Sequence, residues 1–199
     1  MVVLLFSVGI GASAEPESAH KTVEKATSEL VERLKEIRPL YEEDKDKFFQ
    51  EVENAVSPLI DFEGFARGVM AKYYRRATDA QKEKFVETFK ESLVETYGGT
   101  LAGFQGNKVE VEKPAHEDAD SDRASVKLKI HGADGDVYSV AYTMIRQDGR
   151  WKLRNITVEG INIGLQFRSQ FASYMREHGN DIDKVIENWD VDEDELADE

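Results

Sequence analysis

The hydrophobic period of this 199-residue chain changes from helical to alternating near Gly106, and that switch limits the folds open to it. Upstream, apolar residues recur at helical spacing. Val23, Ala26, Leu30, Leu34 and Ile37 form one stripe, with Glu and Lys on the other faces, and Pro39 ends it. A second helix is expected from about Asp44 to Val56, stopping before Pro58, and Asp61 is placed to cap a short helix after it. Thr78 caps the next, in which Phe85, Phe89, Leu93 and Tyr97 recur every four residues. Gly98, Gly99, Gly103 and Gly106 are read as loosening the chain beyond it.

Downstream the period is two. Val109 and Val111 alternate with charged residues, as do Val126, Leu128 and Ile130. Val137 to Ile145 is apolar on both parities, as in a central strand, and Trp151 to Val158 follows across Gln147-Asp148-Gly149-Arg150. Short polar turns make this an antiparallel meander. In the last strand Trp151 and Leu153 share one parity and Ile156 and Val158 the other, so a bulge is expected near Arg154-Asn155. Helices at about 161–178 and 180–189 close the chain. The expected fold is α+β: a curved, antiparallel four-stranded sheet backed by N- and C-terminal helices.

The termini read differently. Val2 to Ile10 is an apolar run too short for the ~20 residues that a membrane-spanning helix needs, and Ala12-Ser13-Ala14 follows it. That is the pattern of a secretory signal without its basic n-region, so residues 1–14 are expected to be a signal peptide and the mature chain to start at Glu15. Residues 15–189 form one expected domain: 15–106 mainly helical, 107–158 sheet, 159–189 helical. No second stretch approaches spanning length, so no stable membrane insertion is expected. Residues 190–199 hold seven acids and no base and are read as a solvated tail. The net charge of −14, half of it outside that tail, disfavours nucleic acid and anionic membrane surfaces as partners.

Reaction chemistry is hard to find. There is no cysteine, which removes disulfides, thiolate metal sites and thiol catalysis. His20, His116, His131 and His178 are scattered, and there is no Gly-x-Ser-x-Gly or phosphate-loop pattern. Asp118-x-Asp120-x-Asp122 begins like a calcium loop, but Arg123 and Lys129 fall where Gly and Glu are needed. No metal or cofactor is expected. Large apolar side chains are abundant instead, a pattern that fits either a filled core or a ligand-sized cavity.

Two segments carry a family resemblance. The first runs Asp61-Phe62, Ala66-Arg67-Gly68-Val69-Met70, Tyr74-Arg75, Ala77-Thr78, Gln81-Lys82, Phe85, Phe89, Thr96-Tyr97. The second runs Trp151-Lys152-Leu153, Asn155-Ile156, Val158-Glu159-Gly160-Ile161-Asn162, Phe167-Arg168-Ser169-Gln170-Phe171 and on through Gly179 to Ile186. Together they resemble the MlaC (toluene-tolerance) family over nearly the whole mature chain except the acidic tail. Departures are Ala71 where Gly is usual, Tyr74 where Trp is usual, and Gln166-Phe167 for Asn-Tyr.

The resemblance implies a monomeric periplasmic carrier, with no catalysis, that holds phospholipid acyl chains in an apolar cavity between sheet and helices. Its implied partners are an outer-membrane lipoprotein–porin complex and an inner-membrane ABC transporter bearing an MCE-domain protein, and its implied role is to maintain outer-membrane lipid asymmetry. On that reading the lining is expected from Val126, Leu128, Ile130, Tyr142, Met144, Ile156 and Val158 on the strands. From the helices it is expected from Phe65, Met70, Phe89, Leu93, Tyr97, Leu101, Ile163, Phe167 and Phe171. Arg75, Lys152 and Arg168 are the candidates to face the phosphate. Two alternatives stay open at this point: a cone-shaped α+β enzyme with a pocket for a small apolar substrate, and an interaction module with a filled core.

Overall fold

A computed structural model describes residues 17–103, 108–114, 121–132 and 135–191. The expected signal peptide, Asp118 and Asp120 of the calcium-like stretch, and all but Asp190 and Val191 of the acidic tail lie outside them.

The helical half begins with α1 (Ala19–Ile37), α2 (Leu40–Glu43) and α3 (Lys45–Val56), followed by α4 (Phe62–Met70), a 3-10 turn (Ala71–Tyr73) and α5 (Asp79–Gly103). Polar caps set the starts. Ser18 accepts from Lys21 N, Asp44 from Lys47 N and Asp61 from Gly64 N. Thr78 and Gln81 form a reciprocal capping box, with the Gln81 N–H donating to the Thr78 hydroxyl at 3.2 Å and the Thr78 N–H to the Gln81 side chain at 2.9 Å.

The helix α5 corrects one expectation. It runs unbroken through Gly98 and Gly99. Gly98 acts as a helix-crossing contact: a Cβ there would sit 2.8 Å from the Phe49 ring of α3. Its small size lets two helices approach.

The sheet has five strands in sequential order, β1 (Val109–Val111), β2 (Arg123–His131), β3 (Val137–Gln147), β4 (Arg150–Val158) and β5 (Ile161–Asn162), all antiparallel. The strand beyond the expected four is β5. Glu159 (φ +49°) and Gly160 (φ +86°) turn the chain back on β4 before α6 (Ile163–Glu177) begins. Asp148 (φ +50°) and Gly149 (φ +76°) do the same between β3 and β4, the paired positive φ of a tight hairpin. The register slips between Thr143↔Asn155 and Met144↔Leu153, so Arg154 is the extra residue of a bulge at the expected place. Last comes α7 (Ile182–Glu187), and the chain stays packed through Val191, 4% exposed. The Thr96 hydroxyl donates to the Val191 carbonyl at 3.2 Å and the Gln170 amide to the Asp190 carbonyl at 2.9 Å.

Buried side chains gather in three clusters. One joins α4, α5, α6 and α7 around Phe85, Phe89, Phe167, Phe171 and Trp189; the Phe85 ring lies 5.0 Å from Phe171 and 5.2 Å from Trp189, both edge-on. A second joins one face of the sheet to Ala19 and Val23 of α1. The third holds α1, α3 and α5 together through Leu34, Ile37, Phe48, Val52 and Val94.

Candidate functional site: an apolar hollow between sheet and helices

The three clusters do not merge. Where they meet is a hollow of about 300 Å³, at the lower end of the range for ligand pockets. One wall is the α1 stripe Val23, Ala26 and Leu30 with Thr22 and Thr27. A second is Val52 and Val56 of α3, continued by Leu59, Ile60 and Phe62, and a third is Leu93, Val94, Tyr97, Gly98 and Leu101 of α5. The sheet supplies Tyr142 and Met144 from β3 and Trp151, Leu153 and Ile156 from β4.

Two features of the sequence keep this space open. Small residues, Ala26 and Thr27, stand on α1 where larger side chains would otherwise fill it. The bulge at Arg154 lets Leu153 and Ile156, of opposite parity, both face the hollow, while Arg154 and Asn155 turn to the other side. Among the lining residues there is no carboxylate, imidazole, amine or guanidinium. The Trp151 indole N–H donates to the Glu17 carbonyl at 2.9 Å and so ties the start of α1 to β4. Burial pushes the Tyr142 hydroxyl above its usual pKa, so it stays a neutral phenol.

Of the sixteen lining candidates, Leu93, Tyr97, Leu101, Tyr142, Met144 and Ile156 border the hollow. Phe65, Met70, Phe89, Phe167 and Phe171 are buried in the helical cluster, with Ile163 packed against it. Val126 and Leu128 are buried in the sheet cluster, with Ile130 and Val158 against it. These ten build the shell around the hollow and do not border it. Half of the lining residues that sequence reasoning missed come from α1 and α3. Their signal was present in the stripe Val23-Ala26-Leu30, but a stripe does not say what it faces.

The three basic candidates do not converge. Arg75 is exposed in the loop before α5. Lys152 is paired with Ile145 on the sheet face opposite Tyr142. Arg168 is exposed and lines a second cleft, about 330 Å³, on that same far face, with Arg123, Arg154, Asn155 and Asn162. There the bulge anchors two helices. The Arg154 guanidinium donates to the buried Asp61 carboxylate that caps α4. The Asn155 carbonyl accepts from Gly164 N at 2.9 Å, and its amide donates at 2.9 Å to Asn162, the cap of α6. A Cβ on Gly64 would collide with the Arg154 guanidinium.

Among the described residues no cluster of His, Asp or Glu is arranged to hold a metal ion, and no helix is long and apolar enough to cross a membrane.

Three comparisons bear on this architecture. The family model described as "MlaC protein" matches residues 24–191. The chain is 40% identical over 174 residues to toluene tolerance protein ttg2D of Pseudomonas putida, covering 87% of this chain and 80% of that one. It is 24% identical over 165 residues, 81% of this chain and 76% of the relative, to the intermembrane phospholipid transport system binding protein MlaC of Haemophilus influenzae. Among solved structures, a phospholipid-binding protein from Ralstonia solanacearum, determined in complex with a phospholipid, superposes with a TM-score of 0.76. That match has 23% identity and covers 86% of this chain and 94% of the other. At that identity the likeness establishes a common fold.

Proposed function

Since the chain belongs to the MlaC family, we propose that it is a phospholipid carrier of the periplasm, taking acyl chains into the hollow beneath α1 and moving them between membrane-bound transport complexes. The observation that carries this reading is the hollow itself, walled by hydrocarbon from all three clusters. The names of two relatives support it, a phospholipid transport binding protein and a phospholipid-binding protein of the same fold solved with its lipid.

The physical task defines what the cavity must do. Two acyl chains hold about 30 methylenes at ~0.8 kcal/mol each, so bringing both bare into water costs about 24 kcal/mol. An apolar lining removes that barrier. A bilayer shelters the tails equally well, so transfer from membrane to carrier lies near zero and the carrier can unload. Direction must then come from partners: in this proposal an outer-membrane lipoprotein–porin complex and an inner-membrane ABC transporter with an MCE-domain protein, which together maintain outer-membrane lipid asymmetry. A lining without carboxylate, imidazole or amine supports a carrier over an enzyme, because its Tyr and Thr hydroxyls have no base beside them in the hollow to activate them. The phosphate is left to solvent in this reading, since the hollow has no cation to pair with it.

Native mass spectrometry of freshly purified chain tests the proposal. Added mass matching phospholipid, released on unfolding, is the expected result. Clean unliganded protein that takes up none from vesicles would end it.

A further inference from the structure

The hollow is lined by hydrocarbon, yet it contains polar tips, and how each is satisfied differs. Thr22 donates to the Ser18 carbonyl at 3.0 Å, and Trp151 donates to the Glu17 carbonyl. Tyr97 interacts elsewhere in the protein. Thr27 sits within α1, where a hydroxyl can turn back to the carbonyl of the preceding turn. Tyr142 has no such recourse. It stands on the central strand β3, flanked by Val126 of β2 and Ile156 of β4, and its ring carries the hydroxyl away from its own backbone towards the helices. Among the described residues no hydrogen bond is made by that hydroxyl. The side chain is deeply enclosed by protein but keeps a partly accessible surface, which is the surface it presents to the hollow.

A phenol at this position has no protein acceptor among the described residues, and in an apolar hollow its hydrogen bond must go to water or to a group that the ligand brings. The ligand class of the proposed function has such groups at one place only along its tails: the ester carbonyls where acyl chain meets glycerol. We propose that Tyr142 is a specificity-determining residue, its hydroxyl donating a hydrogen bond to an acyl-ester carbonyl of the bound lipid, so that the hollow prefers ester-linked over ether-linked chains. The raised pKa agrees with this role, because the group stays a neutral donor at every physiological pH. The inference rests on the carrier reading and adds to it the linkage that the site recognises.

The test is competitive loading of the full chain with dioleoyl phosphatidylcholine and its dioleyl diether analogue, read as the ratio of the two complexes by native mass spectrometry. The wild type should favour the diester about 5-fold, the worth of one neutral hydrogen bond. Tyr142→Phe should bring the ratio to about one, and its unfolding midpoint shows whether the variant is folded. A wild-type ratio of one, or a preference that survives in Tyr142→Phe, overturns the assignment while the carrier reading stands. Retention of neither lipid by the wild type overturns both.

Discussion

Filling the hollow from within distinguishes a ligand cavity from an imperfect core. Ala26 lies on the inner face of α1 and borders the 300 Å³ space. In a close-packed core Ala→Phe forces strain and costs about 1–3 kcal/mol. In an open hollow the new ring finds room, and its burial contributes up to about 2 kcal/mol, less the ~0.5 kcal/mol by which Phe is a poorer helix former than Ala. Ala26→Phe is therefore expected to leave the lipid-free protein as stable as the wild type or about 1 kcal/mol more so. Lipid binding should move the other way. A ring in the hollow displaces about four methylenes of ligand, and at ~0.8 kcal/mol each the loss is about 3 kcal/mol, on the order of 100-fold in retention. Urea unfolding of delipidated protein reads the first quantity, and partition of a labelled phospholipid between vesicles and protein reads the second. A variant destabilised by 2 kcal/mol or more that still keeps its lipid would refute the reasoning, because it would mean that the space under α1 is already filled and the ligand sits elsewhere.

Other expectations follow from particular contacts. Ala71 holds φ +48° and ψ −118° at the end of α4, a conformation that only glycine adopts freely, so Ala71→Gly should stabilise by about 1 kcal/mol in chemical denaturation. Arg154→Leu should destabilise by about 3 kcal/mol, the low end for breaking a buried pair because Arg154 keeps 33% of its side chain in water while Asp61 keeps 5%; a loss under 1 kcal/mol would show that the bulge does not anchor α4. The pH response has a definite sign. Tyr142 and Lys90 are both raised, by burial and by hydrogen bonding to Glu87 respectively, so their contribution is intact below pH ~10 and is lost as pH rises beyond it. Tyr142→Phe should flatten part of that alkaline decline in a thermal-melt series, and an unchanged decline would show that the phenol is not enclosed. Asp79 and Glu110 are lowered by Lys82 and Lys108, so their small, exposed contributions are present above pH ~4 and fade as pH falls through the lowered pKa values.

Sequence by itself determined whatever depends on local periodicity. The starts of the helices after Asp44, Asp61 and Thr78 followed from these caps, because a cap bonds within its own turn. The bulge followed from the parity change across Arg154-Asn155, because side chains on a strand alternate whatever lies above them. Two glycines mark the limit. Gly98 has a breaker's composition, and only its contact with Phe49 shows it to be a spacer. Glu159-Gly160 stands between the last expected strand and the helix after it, and that it turns the chain back into a fifth strand depends on β4 lying beside it.

Tertiary structure alone decided which apolar residues border the hollow. Phe89 and Leu93 lie one turn apart on the same stripe, and their four-residue spacing treats them alike. Phe89 is sealed among Phe65, Phe85 and Phe167, while Leu93 reaches the open space. The reason is geometric: an apolar stripe reports that a face is withdrawn from water, but whether it meets another side chain or a void depends on how far apart the facing elements are held. That separation is fixed by distant anchors, the Arg154–Asp61 pair, the Asn155–Asn162 clasp and the Trp151 tether to α1, each joining residues that the sequence keeps apart or leaves without visible connection.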